Sequence, residues 1–136
     1  MAANTSPIFA LSPNLTEITF VNADSTTPKT IFTAATDGSV LKHINVTSDD
    51  TTDPVLLDVF VDDGTTAYLL GRVGVATLAG TDGTEPAVDI LDAGMIPGLG
   101  TNGSLFLASG YTVEVAPSVA ITAAKTVTLV GIGVDY

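Results

Sequence analysis

An all-β domain, an antiparallel β-sandwich or jelly roll of about eight short strands, is the fold this sequence predicts. Three observations predict it. Apolar residues recur at every second position over short stretches, the period of an extended chain with one face inward. Turn-forming Gly, Pro, Asp and Thr follow each stretch. The 136 residues, 46% apolar and 14% charged, suffice for one hydrophobic core and not for two.

The expected strands are Leu15 to Val21, Lys29 to Ala34, Val40 to Thr47, Val55 to Val61, Thr66 to Val75, Ser104 to Ala108, Thr112 to Val115 and Thr126 to Val134. They make one sandwich domain over 15–136, preceded by an extended arm over 1–14. Asp37-Gly38 and Asp63-Gly64 supply the left-handed backbone of tight turns, so they should close hairpins between the second and third and between the fourth and fifth strands. Ser48 to Pro54 is an acidic, Thr-rich loop with no apolar residue, which places it in water. Ala76 to Gly103, rich in Gly and Pro, has the length of an excursion between sheets. Within it Thr84-Glu85-Pro86 is a possible start for a helical turn or two ending near Asp92.

A tight loop at Asp63-Gly64 would pair Val61 with Thr66, Val59 with Tyr68 and Leu57 with Leu70. Val55, Leu57, Val59, Val61, Tyr68 and Leu70 then share the core face. The opposite face carries Leu56, Asp58, Phe60, Ala67, Leu69 and Val73, too apolar to stand freely in water. Either the long loop of the same chain or another protein covers it. The last strand has no polar face: Thr126, Thr128, Val130, Ile132 and Val134 alternate with Val127, Leu129, Gly131 and Gly133. It belongs inside a sheet, with two glycines that let a neighbour approach closely.

Charge narrows the function. Four Lys and Arg stand against fifteen Asp and Glu, a net charge of -11, so nucleic acid and anionic membrane surfaces are not expected partners. With no Cys there is no disulfide framework and no thiolate site. Met1 to Thr5 carries no basic residue, and Ile8 to Leu11 is too short for a signal core or a membrane span, so a soluble, uncleaved chain is expected.

Catalysis has little to draw on. His43, the only histidine, falls in the third strand on the phase of Leu41 and Asn45, and no G-x-S-x-G accompanies it. Of the glutamates, Glu17 and Glu114 alternate with apolar neighbours as solvent-facing strand residues do, and Glu85 precedes a proline, so no carboxylate pair for glycoside hydrolysis stands out. Asp49, Asp50 and Asp53, with Asp62 and Asp63, raise the question of calcium. They lack the spacing of a calcium loop, and turns favour Asp for its backbone hydrogen bonds. Gly71, Gly74 and Gly80 are spaced for no phosphate-binding motif. No catalytic residue, metal ligand or cofactor site is assigned. What remains is a β domain rich in apolar contact surface.

Ile31-Phe32-Thr33-Ala34-Ala35-Thr36-Asp37-Gly38-Ser39-Val40 and Asp62-Asp63-Gly64-Thr65-Thr66-Ala67-Tyr68-Leu69-Leu70-Gly71 resemble phrases of small tailed-bacteriophage virion proteins. Leu105-Phe106-Leu107-Ala108-Ser109-Gly110-Tyr111 and Ala123-Ala124-Lys125-Thr126-Val127-Thr128 continue the likeness, which runs from about Pro28 to the C-terminus. Within that group the chain is similar to the head decoration, or cement, proteins, and among them to those with a jelly-roll fold. The resemblance implies a non-enzymatic protein on the outer surface of an HK97-like capsid, clamping adjacent major capsid proteins and forming a homodimer or a trimer.

Three segments are candidate contacts: an arm of Pro7, Ile8, Phe9 and Leu11; a glycine-flanked loop tip of Met95, Ile96, Pro97 and Leu99; and Leu56, Phe60 and Leu69 on the second face of the central hairpin. The alternatives are a receptor-binding head domain of a tail fibre, which would need a stem that this sequence lacks, and a carbohydrate-binding β-sandwich. The sugar-binding reading is disfavoured by five Phe, three Tyr and no Trp.

Overall fold

The computed structural model describes residues 12–92, 94, 96, 99 and 103–136. Among these residues nine strands form two antiparallel sheets: β1 (Ser12–Val21), β2 (Lys29–Thr33), β3 (Ser39–Ser48), β4 (Val55–Asp62), β5 (Ala67–Val75), β6 (Val88–Asp89), β7 (Leu105–Leu107), β8 (Thr112–Pro117) and β9 (Thr126–Asp135). One sheet runs β1-β9-β3-β6 with β7 also paired to β3; the other runs β2-β8-β4-β5. β6 pairs with Asn45 and Val46, and β7 with Ser39 to Leu41, so the two occupy one strand position beside β3. Read as one broken strand, they complete the eight-strand connectivity of a jelly roll.

All eight expected strands are present with their ends shifted by a few residues. β1 begins at Ser12, so Ser12 to Asn14 pair with β9 and are not part of an arm. The hairpin expected at Asp37-Gly38 does not form, because β2 and β3 lie in different sheets. The helix expected from Thr84 towards Asp92 does not form. Asp82 Oδ1 accepts the backbone N–H groups of Thr84 and Glu85, which closes a local turn in place of a helical one, and the chain then enters β6. Among the described residues the one helical element is a 3-10 turn at Asn22–Asp24, and no helix is long and apolar enough to cross a membrane.

The core lies between the sheets. Phe20, Leu41, Ile44, Val46, Val127 and Leu129 come from one, Ile31, Phe32, Leu57, Val59, Val73, Val75, Val113 and Val115 from the other. β9 is central, as its two apolar faces imply, and its glycines determine how near the sheets come. A Cβ at Gly133 would stand 2.7 Å from the Phe32 ring and 2.6 Å from the Val40 carbonyl oxygen; one at Gly131 would stand 3.2 Å from Ile31. Bulky side chains of β2 thus fill the space that the glycines leave.

Three bulges shift the phase of side chains. In β3 the pairing with β9 skips Lys42, so Leu41 and Ile44 both point into the core while His43 and Asn45 point out. His43 is therefore on the face opposite Leu41, not on its phase. In β2 the bulge at Ile31 lets Ile31 and Phe32 both be buried. In the central hairpin the turn spans four residues, pairing Asp62 with Ala67 and Val61 with Tyr68, and a bulge at Leu70 brings Leu57 opposite Val73. Two expected assignments fall: Val73 is in the core, and Tyr68 is exposed at the rim.

Candidate partner-binding surfaces

The outer face of the β2-β8-β4-β5 sheet takes its side chains from even-numbered residues of β4 and their cross-strand partners. Leu56 and Leu69 are 45% and 58% exposed, Phe60 pairs with Leu69, and Ala116 lies beside Asp58. At the centre Arg72 grips Asp58 in a two-pronged ion pair, Nε to Oδ1 at 2.6 Å and Nη2 to Oδ2 at 3.0 Å. The Arg72 hydrogen bond holds the Asp58 carboxyl below its ordinary value, against a smaller effect of burial. The face is thus a paired charge within an apolar ring. The long loop does not cover it among the described residues: Ile90, Leu91 and Ile96 turn into the core instead.

That burial corrects one expectation. Ile96, placed by the sequence at an exposed loop tip, is 1% exposed and lies against the open side of Gly71, where no Cβ stands in its way. Leu99 is half-buried against the same core. Ile96 is therefore no exposed tip, while Leu99 keeps part of its surface in solvent. Met95 and Pro97, and the arm residues Pro7, Ile8, Phe9 and Leu11, lie outside the described residues.

The other sheet exposes a second apolar face, which the sequence reading did not assemble. Register aligns Pro13 of β1, Val134 of β9, Val40 of β3 and Phe106 of β7 in one row across four strands. The next row holds Leu15, Ile132 and His43. Phe106 is 77% and Leu15 66% exposed, whereas Val40 is buried yet outside the core cluster, covered by neighbours on its own face. The signal lay in Val130, Ile132 and Val134; which strands flank them is not a local property of the sequence.

Polar side chains are engaged in holding turns. Asp49 accepts from Thr126 N–H at 2.6 Å, Asp62 from Gly64 N–H at 2.7 Å, and Asp63 from Thr65 and Thr66. The buried Asp50 accepts from Thr52 and Asp53. Burial pushes its carboxyl up, but the Thr122 hydroxyl, those two N–H groups and the charge of Lys125 together outweigh it and leave it lowered. His43 Nδ1 lies 2.6 Å from Asp89 Oδ2, and the other oxygen of Asp89 accepts from the Ile44 and Leu91 N–H groups. Among the described residues no hydroxyl extends that pair towards a triad, and no three His, Asp or Glu side chains are gathered to hold a metal ion. A shallow cleft of about 250 Å³ opens between Asp50 to Leu56 and Val119 to Thr122, lined by Ile121 and Pro54.

No family model matches the chain, and no curated protein matches it. Among solved structures it is similar to a chain of the cyanophage Pam1 capsid asymmetric unit, with 18% identity and a TM-score of 0.49 over 100% of this chain and 94% of that one. A likeness at that level indicates neither family nor function.

Proposed function

We propose that this protein is a non-enzymatic structural component of a phage head, decorating the outside of the shell and clamping adjacent major capsid proteins. One observation carries the reading: both sheets of the sandwich present apolar side chains outward, Leu15 and Phe106 on one, Leu56 and Leu69 on the other, with nothing from the described chain over them. Side chains so placed complete their burial against another protein. The resemblance of Ile31 to Val40 and of Asp62 to Gly71 to phrases of head decoration proteins supports the choice of partner.

The physics suits a clamp. At ~25 cal/mol per Å² of apolar surface, an interface of roughly 800 Å² per partner has a large gross driving force, of which ordering costs remove much. A protein bridging two shell subunits adds that contact area to whatever must separate before the shell ruptures under packaged DNA. The net charge of -11 keeps densely covered particles from associating.

The test is to mix the purified protein with undecorated heads, then measure cosedimentation and the temperature at which DNA is released. Saturable binding with a higher release temperature is expected. The absence of both binding and a thermal shift would defeat the reading, and selective binding to a glycan would replace it with the receptor-binding alternative.

A further inference from the structure

Sheet edges are templates for pairing with another chain, and proteins usually blunt them. Three of the four edges here are blunted. β2 has five residues, a bulge at Ile31 and Lys29 at its start. β5 is bulged at Leu70 and carries Arg72. On the side of β3 away from β9, the described residues place β6 and β7, of two and three residues. β1 differs: ten residues in unbroken register with β9, no Lys or Arg, and a single charge at Glu17.

Alternation tells which main-chain groups this edge offers, because successive residues of an antiparallel strand point their N–H and C=O to opposite sides. The Thr19 carbonyl accepts from Lys29 Nζ at 2.7 Å, and Val21 N–H donates to Asp24 Oδ2 at 2.9 Å, so the odd-numbered residues of β1 face away from β9. The N–H and C=O of Leu15 and Glu17, the Thr19 N–H and the Pro13 C=O therefore lie on the open edge, with no partner among the described residues. Pro13 has no N–H to offer.

We propose that this edge is a homodimer interface, β1 pairing antiparallel with β1 of a second copy about a twofold axis at Thr16. The edge is self-complementary in that register. Leu15 and Glu17 of the two copies exchange both their bonds, and symmetry repeats them. Thr19 N–H donates to the Pro13 carbonyl of the other copy, and the missing Pro13 donor falls opposite the one carbonyl that Lys29 already occupies. The neighbouring registers fail. An axis at Glu17 sets two carboxylates directly opposite each other, which destabilises a strand pair. An axis at Leu15 leaves the Glu17 carbonyl facing Pro13, which cannot donate. An open cleft of about 340 Å³, lined by Thr16, Ile18, Thr30 and Phe32, separates this edge from β2. Because both copies use the same edge, the contact closes on itself and does not propagate. The pairing requires only the free protein, so it stands or falls apart from the capsid reading.

The chain has no cysteine, which makes a single introduced thiol diagnostic. In the proposed register residue 16 meets its own copy at a non-hydrogen-bonded site, with Cα atoms ~4.5 Å apart, within the range a disulfide spans. Mild oxidation of Thr16→Cys should give a disulfide-linked dimer on a non-reducing gel, whereas Thr19→Cys should not. Glu17→Pro removes an edge N–H without touching the β9 ladder, and should weaken the dimer at least tenfold by sedimentation equilibrium. A native chain that stays monomeric at millimolar concentration overturns the proposal. So does a dimer that Glu17→Pro leaves intact and Thr16→Cys does not cross-link.

Discussion

The two outer faces of the sandwich are both apolar but differ at their centres. On the β1-β9-β3-β7 side, Pro13, Val134, Val40 and Phe106 form a row without charge. On the β8-β4-β5 side, Leu56, Phe60 and Leu69 surround the Asp58–Arg72 pair. The difference bears on what each face accepts. An uncharged row buries against any apolar surface of matching shape, so it contributes driving force with little selectivity. A charge pair taken out of water loses hydration that only a partner with matching hydrogen-bonding groups restores, so a partner docked on the second face would be selected for such groups.

The largest expected effect breaks the support of the first face. β9 lies close over Phe32, and Gly133→Ala would set a Cβ 2.6 Å from the Val40 carbonyl and 2.7 Å from the Phe32 ring. Backbone must shift to admit it, at a cost of about 1–3 kcal/mol, measured as a lower urea midpoint and a Tm lower by several degrees. On the second face, Gly74→Ala would meet only Leu56 Cδ2 at 3.6 Å, an ordinary contact, and should change stability by less than about 0.5 kcal/mol. Equal losses at the two positions would remove the distinction between a sheet held close and one held loosely.

The reading of the sequence succeeded and failed for physical reasons visible in particular strands. Leu56 and Phe60 were legible as outward because β4 keeps an unbroken period of two, and Leu69 because it precedes the bulge of β5 and pairs with Phe60. Val73 and His43 were misplaced because each lies beyond a bulge, and a single inserted residue flips every later side chain to the other face. Tyr68 keeps the face of its partner Val61 but stands at the rim of the sheet, where it is exposed. Ile96 looked like a solvent-facing tip because glycines flank it; it is buried against Gly71, distant in sequence. The row from Pro13 to Phe106 exists only once four strands are registered, and no local pattern encodes that registration.

The next effect sharpens the second face through pH. The Arg72 hydrogen bond lowers the Asp58 carboxyl below its ordinary 3.8, so the folded state releases that proton more readily than the unfolded chain. The pair's contribution is therefore fully present above pH ~4 and is lost as pH falls through the lowered folded value. Asp24, Asp50, Asp63 and Asp82 are also lowered, Asp82 to about 2, so the whole protein weakens in the same acid range. Arg72→Gln isolates the pair. Because Arg72 is exposed, the loss at pH 7 should be small, and the difference from the native chain should shrink below pH 4. Urea midpoints across pH 7 to 2 check it, and a difference that grows in acid would contradict the assignment.

The smallest effect on the free protein should be that of Phe106→Ser and Leu69→Ser. Both side chains are mostly in water already, so each change should alter folding stability by less than about 0.5 kcal/mol, read from thermal melts. Their effects on head binding should part. If the uncharged row supplies driving force, Phe106→Ser weakens binding to every head that the native protein decorates. If the charge-centred face selects, Leu69→Ser combined with Arg72→Gln weakens binding to the cognate head while leaving weak binding to unrelated heads unchanged. Cosedimentation with two kinds of undecorated head separates the roles. Equal losses on both heads for all variants would mean that neither face discriminates, and that the Asp58–Arg72 pair is only a solvated ornament of the β4–β5 hairpin.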